Sequence, residues 1–226
     1  MGATVFVLGR PGSGKSTAAH YLTELAQRRN FSPLFLQDYD ILYKMFIEGS
    51  EKFRPTDCGG FDVLDYSVLD SALRQLERSV QASLAFGRTD IAVIEFARDD
   101  YHAASSLFSP TFLRESYFFF IDSDLEECIR RVRERVTDPP LPDNHFVSEH
   151  IMRTYYGGND WEYMAHRFKQ EFGIRKEVVV TRNDGPLEML LDEVSDFAEI
   201  IFKREFNAHL NGVHACPVLF REVDHM

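Results

Sequence analysis

Between a strand-like apolar run, Ala3–Leu8, and a helical pattern, Ser16–Arg29, lies the segment Gly9-Arg10-Pro11-Gly12-Ser13-Gly14-Lys15-Ser16. This order of strand, glycine-rich loop and helix constrains the fold more than any other feature of the chain. Ala3–Leu8 is apolar without alternation, as expected of a parallel strand covered on both faces. Ala18, Ala19, Leu22, Leu25 and Ala26 share one face of the helix that follows. The loop has the spacing G-x-x-x-x-G-K-[ST], in which glycines allow a tight turn and leave room for phosphate oxygens. Its backbone N–H groups then form an anion nest at the positive end of the helix dipole. The residues Gly9, Arg10, Pro11, Gly12, Ser13, Gly14, Lys15, Ser16 and Thr17 are therefore expected to cradle a nucleoside triphosphate. Lys15 is placed to bridge the β- and γ-phosphates, Ser16 to ligate Mg²⁺, and Thr17 to donate to the α-phosphate.

The alternation continues downstream. Strands are expected at Pro33–Gln37, Asp90–Glu95, Ser116–Asp122 and Glu177–Thr181. Helices are expected from about Tyr66 to Phe86, after Asp122–Asp124, and from about Pro186 to Phe206, each with an apolar stripe of helical period. The 226 residues suit one α/β domain, 1–226, better than two enzyme domains. Two stretches break the pattern. Tyr43–Asp65 is rich in Gly, Pro and aromatics, and Thr137–Phe172 contains D-P-P-L-P-D-N and Y-Y-G-G-N-D-W. Connections of that length are usually lids or binding loops, with peripheral helices as the plainer reading. Trp161, Tyr155, Tyr156 and Tyr163 suit substrate stacking or, more commonly, packing. The tail, 210–226, carries V-L-F-R-E-V and is left unassigned.

The acids follow the strands. In a parallel sheet the ends of these strands meet at the same carboxyl edge as the glycine loop. Glu95 ends the third strand and is expected to hold Mg²⁺ or orient a nucleophile. Asp38 and Asp40, in Q-D-Y-D, would share one side of the chain if it stays extended. One would take the proton from an attacking hydroxyl while the other holds metal or substrate, with Asp38 the candidate metal ligand. The competing reading is that D-Y-D begins a helix over Ile41–Ile47. Arg98 either clamps a substrate carboxylate or phosphate or pairs with Asp99 or Asp100 at the surface. Arg131 and Arg135, four apart, share a helix face that would neutralise charge on a transferring phosphoryl group. Arg130 and Arg133 are the alternative pair, and a solvated face paired with Glu126, Glu127 and Glu134 is the plain one. Asn183-Asp184-Gly185 reads as a turn, with Asn183 placed to line a base pocket.

Composition narrows the rest. The net charge of −11 repels polyphosphate backbones and argues against nucleic acid as a partner. No apolar run approaches the roughly 20 residues of a membrane span, and the N-terminal run lacks the flanks of a signal peptide. Cys58, Cys128 and Cys216 are scattered, which suits a reducing, cytoplasmic setting without disulfides or zinc. Cys128 falls on an apolar helix face and reads as core.

Together, G-R-P-G-S-G-K-S-T, D-Y-D, E-F-A-R and E-E-C-I-R-R-V-R-E-R resemble the P-loop kinase group, which includes nucleoside and nucleotide, shikimate and gluconate kinases. E-F-A-R and the arginine helix look most like the deoxynucleoside-kinase branch, although Ala97 departs from its Glu-Arg-Ser and the Arg stands one place later. D-Y-D looks more like the shikimate- or polynucleotide-kinase acidic pair, so the mixture names no subfamily. The resemblance covers roughly residues 1–206. It implies a three-layer α/β/α P-loop NTPase fold with a five-stranded parallel sheet ordered 2-3-1-4-5. It also implies a substrate-binding insertion at about 43–65 and a lid at about 130–172, its core at Arg130–His145.

The expected reaction is transfer of the γ-phosphate of ATP, with Mg²⁺, to a hydroxyl of a small metabolite or nucleoside. Asp38 or Asp40 would be the base. ATP is the default because no N-K-x-D guanine-reading pattern stands in the expected place. The competing expectations are a nucleotide-dependent switch or scaffold with slow hydrolysis and a kinase of nucleic-acid ends. Oligomeric state is open, a homodimer included.

Overall fold

The structure is a computed structural model that describes residues 2–56, 60–135, 146–158 and 160–206. Cys58, Cys216, the D-P-P-L-P-D-N segment, Asn159 and the tail 210–226 lie outside the described residues. Strand β1 (Ala3–Leu8) enters the glycine loop and then α1 (Lys15–Arg28); β2 (Pro33–Gln37) passes directly into α2 (Asp38–Ile47). Two short strands, β3 (Phe53–Pro55) and β4 (Phe61–Val63), pair antiparallel before α3 (Ser67–Ala85) and β5 (Ile91–Phe96). The short helices α4 (Tyr101–Ser105) and α5 (Pro110–Arg114) lead to β6 (Ser116–Asp122) and α6 (Leu125–Glu134). Three further short helices, α7 (Glu149–Thr154), α8 (Trp161–His166) and α9 (Phe168–Glu171), precede β7 (Val178–Arg182) and α10 (Leu187–Glu205).

The sheet has five parallel strands in the order β2-β5-β1-β6-β7. Counted along these parallel strands alone, that is 2-3-1-4-5, as expected. Alternate side chains of each strand feed opposite layers. Val5 and Val7, Val93, and Phe119 and Ile121 pack under α1 and α10. Phe6 and Leu8, Ile94 and Phe96, and Phe118 and Phe120 pack under α3 and α4 and against Met164 and Phe168. The central strands are therefore apolar on both faces, and the three-layer arrangement follows.

Register sets the functional edge. Leu8 lies beside Phe96 on one side and Phe120 on the other, and Gln37 lies beside Glu95. The glycine loop, the end of β5 and the start of α2 thus emerge together at the carboxyl edge of the sheet. Asp124 caps α6, its carboxylate accepting from the Glu126 and Glu127 amides. Cys128 is fully buried on that helix, as expected of a small apolar side chain. Among the described residues no helix is long and apolar enough to cross a membrane.

The 43–65 interval holds the end of α2 and the β3–β4 hairpin, which sequence pattern did not reveal. The extended reading of D-Y-D is overturned: both aspartates lie in the first turn of α2, where their negative charge meets the helix dipole favourably.

Candidate active site

The glycine loop is fixed by its neighbours before any ligand is considered. Gly12 and Gly14 have φ of +82° and +104°, a region L side chains rarely adopt. A Cβ on Gly12 would lie 2.5 Å from the Cys128 carbonyl oxygen of α6, and one on Gly14 would lie 2.5 Å from Asn183 Nδ2. These glycines let the loop seat against α6 and the β7 turn, besides leaving room for phosphate. The Gly9 amide donates to the Tyr101 hydroxyl at 2.8 Å, and Asn183 Nδ2 donates to the Ser13 carbonyl at 2.8 Å. Arg10 reaches out of the loop to the Gly158 carbonyl at 2.8 Å and lies 3.7 Å from Asp122.

Ser16, Lys15 and Glu95 converge. Ser16 Oγ donates to Glu95 Oε1 at 2.9 Å, Lys15 Nζ is 3.9 Å from the same oxygen, and Lys15 also donates to the Arg10 carbonyl at 2.9 Å. Burial pushes the Glu95 carboxyl above its ordinary pKa, against the pull of Lys15 and the Ser16 hydrogen bond. Burial likewise pushes Lys15 below its ordinary value, with Glu95 opposing. Glu95 Oε2 is buried and lacks a hydrogen-bond partner. A hydroxyl beside a carboxylate with a spare buried oxygen fits Mg²⁺, which takes one or two protein oxygens and completes its shell with water and phosphate. Ser16 and Glu95 are the residues that would hold it. Among the described residues no group of three or more His, Cys, Asp or Glu forms a metal cage, and a Mg²⁺ site of this kind needs none.

Asp38 and Asp40 part company because a helix advances 100° per residue. Asp38 is buried and lines the cavity above the loop. Asp40 is exposed, accepting from the Gln37 side chain at 3.1 Å. Arg98 is neither at the surface nor paired with Asp99 or Asp100. It is 6% exposed, and its Nη1 donates to Asp38 Oδ2 at 2.5 Å while Nη2 donates to the Leu69 carbonyl at 2.9 Å. It is a positioning residue for Asp38, and its engagement leaves the expected substrate clamp without support.

The arginines of α6 and its C-cap residue Arg135 divide as their spacing suggests. Arg131 and Arg135 both line the cavity. Arg131 bridges the Asn183 carbonyl at 2.9 Å and the Gly12 carbonyl at 3.4 Å, with Nε on Glu127 at 2.8 Å. Arg130 turns outward to Glu127 and Glu134, and Arg133 outward to Glu149. Asn183 spends its side chain on Ser13 and so braces the loop. It is not among the residues lining the cavity.

The cavity is about 550 Å³ and runs from Gly12, Lys15, Ser16 and Thr17 past Glu95 to Asp38. Its far end is walled by aromatic side chains, among them Tyr39, Phe61, Tyr66, Tyr155 and Tyr156. Of the aromatics singled out by sequence, Tyr155 and Tyr156 belong to this wall. Trp161 instead lies under the Arg182 guanidinium at 4.8 Å, and Tyr163 packs edge-on to Phe168. Sequence reasoning missed Tyr101, Tyr39, Phe61 and Tyr66. Tyr101 is fully buried and anchors both the Gly9 and, at 3.4 Å, the Arg98 amides. No local signal marks its bond to Gly9, which stands 92 positions away and meets it only at the sheet edge.

No family model and no curated protein matches the chain. Solved structures do. A gluconokinase from Sinorhizobium meliloti 1021 aligns with TM-score 0.54 and 14% identity, over 93% of this chain and 97% of its own. An unliganded sugar kinase from Janibacter sp. HTCC2649 aligns with TM-score 0.54 and 17% identity, over 88% and 96%. At this identity the likeness is one of fold alone.

Proposed function

We propose that the chain is a phosphotransferase that moves the γ-phosphate of ATP to a hydroxyl of a small acceptor bound beside Asp38. The observation carrying this reading is that the phosphate loop, Ser16, Glu95 and Asp38 line one continuous cavity. Donor and acceptor can meet there within one cleft. Binding two reactants in one cleft converts a bimolecular step into a positioned one, the main source of rate in phosphoryl transfer.

In this reading the loop amides and Lys15 hold the triphosphate, and Lys15 leaves the Arg10 carbonyl to reach the β- and γ-phosphates. Ser16 and Glu95 would hold Mg²⁺, which would supply charge neutralisation for the phosphates. Asp38 accepts the proton of the attacking hydroxyl, oriented by Arg98. Arg131 and Arg135 face the developing charge from the opposite wall. The acceptor is a small molecule, and the protein would act in the cytoplasm, where ATP is available and cysteines stay reduced.

The test is ATP turnover against a panel of small alcohols, with Lys15→Ala and Asp38→Asn as controls. Transfer that needs an added alcohol, is abolished by Lys15→Ala, and is lost in Asp38→Asn with nucleotide binding retained is the expected result. Turnover that ignores every alcohol and persists in Asp38→Asn contradicts the reading.

A further inference from the structure

We propose that the acceptor is an uncharged alcohol carrying a flat aromatic ring, and not a hydroxy acid. This rests on the phosphotransfer reading and concerns the far end of the same cavity.

The first ground is the distribution of charge. Among the described residues lining the cavity, the lysine and arginine side chains are Lys15, Arg131 and Arg135, with His20 of α1 the histidine. Arg131 meets the Gly12 carbonyl and Arg135 acts on Lys15, which puts both at the phosphate-loop end. The acceptor end carries the acids Asp38 and Asp62. Arg98, the cation nearest Asp38, is buried and engaged by Asp38 and by the Ala97 and Leu69 carbonyls. Arg54 is held by Asp62 at 2.9 Å, and its side chain is 64% exposed. An acceptor carboxylate would be desolvated beside two acids without a cation of its own, which is strongly unfavourable. A neutral molecule meets no such penalty.

The second ground is the wall itself. Tyr39 of α2 stacks on Phe61 of β4 with centroids 5.2 Å apart and planes at 17°. Tyr66, before α3, stacks on Tyr155, after α7, at 4.7 Å and 4°. Tyr156 stands edge-on to Tyr155. These rings come from segments far apart in sequence, yet they converge on one opening, with Tyr66 44% exposed at its margin. Flat aromatic walls favour a flat guest through offset and edge-to-face contacts. Burial holds the Tyr155 and Tyr156 phenols well above their ordinary pKa, and that of Tyr39 at about 12. They are therefore protonated and uncharged at physiological pH; the Tyr155 hydroxyl is taken by Asp99, so the wall recognises a ring chiefly through its own faces and edges.

The experiment uses the full chain with Mg²⁺ and the non-hydrolysable analogue AMPPNP. Binding of uridine and pyridoxine, as ring alcohols, and of gluconate and shikimate, as hydroxy acids, is followed by saturation-transfer NMR. Phosphorylation with ATP is followed by ³¹P NMR. A ring alcohol is expected to bind and be phosphorylated while both acids are not. Tyr66→Leu and Tyr155→Leu are expected to weaken ring binding by about tenfold, the size of a lost aromatic pair, with AMPPNP affinity unchanged. Tyr66 is partly exposed, so its replacement spares the core. Phosphorylation of an acid, failure of both ring alcohols to bind, or ring binding indifferent to both tyrosine variants overturns the acceptor class and leaves phosphotransfer standing. Failure of AMPPNP to bind overturns both.

Discussion

Arg98 Nη1 and Asp38 Oδ2 meet at 2.5 Å with both residues buried, tying the end of β5 to the first turn of α2. The pair fixes where the candidate base stands relative to the phosphate loop. Removing one partner leaves a buried charge uncompensated, which costs about 3–5 kcal/mol. Arg98→Met and Asp38→Asn should each destabilise the fold, Arg98→Met by this larger amount. The double variant should lose less than the sum of the two. Urea unfolding of the four proteins measures the coupling, and strict additivity would show that the contact carries no stability.

The two aspartates of D-Y-D should behave unlike each other. Asp38 lines the cavity, whereas Asp40 faces solvent and Gln37. Asp38→Asn is expected to lower turnover by about a hundredfold or more, the usual contribution of a general base, with nucleotide affinity retained. Asp40→Asn should stay within about twofold of wild type, as for a surface substitution. Steady-state kinetics on both variants separates them, and equal losses would return Asp40 to the site.

That asymmetry shows what the sequence could and could not convey. The strand–loop–helix order of residues 3–29, the parallel sheet and the inward pair Arg131 and Arg135 were legible because each depends on local period or spacing. The D-Y-D segment suits both an extended turn and a helix start, and the helix start is what forms. Leu42 of that helix is buried in one cluster with Phe53 and Leu69, contacts that the local sequence does not display. Arg98 was misplaced because its partner is 60 positions away. Asn183 was recognisable as a turn residue. Its bond to Ser13, across the sheet from β7 to β1, has no sequence signature. The aromatic wall was hidden for the same reason, each ring being unremarkable within its own segment.

Asn183 should matter to nucleotide binding through the loop it braces. Its Nδ2 donates to the Ser13 carbonyl at 2.8 Å, and its own carbonyl takes Arg131. Asn183→Ala leaves the Ser13 carbonyl without this donor, a loss of about 1–3 kcal/mol for a buried group. Some of that energy holds the loop in its anion-binding form, so AMPPNP affinity should fall by about tenfold. Calorimetric titration reads this directly. Asn183→Asp, of similar shape but lacking the donor, should fare no better than alanine. Unchanged affinity in both would reduce the contact to packing.

Glu95 ties stability to pH with a defined sign. Burial raises its folded-state pKa above the ordinary 4.5, against Lys15 and Ser16. Between the unfolded value and the raised folded value, the native state holds a proton that the unfolded chain has released. Stability without ligand therefore falls as pH rises through that window, by at most about 1.4 kcal/mol per pH unit, and levels off above it. Glu95→Gln should remove this contribution, so its midpoint should decline less than that of wild type from pH 4.5 upward. The slope is the cleaner reading, since the substitution also takes a counter-charge from Lys15, whose own lowered pKa acts on the alkaline side. Mg²⁺ with ATP at a hundred times its dissociation constant should stabilise wild type by about 2.7 kcal/mol. Glu95→Gln should lose the part of that gain that depends on Mg²⁺. Thermal melts across pH, with ATP in Mg²⁺ or in chelator, test both expectations. Parallel pH slopes together with an undiminished Mg²⁺ response would remove Glu95 from the metal site.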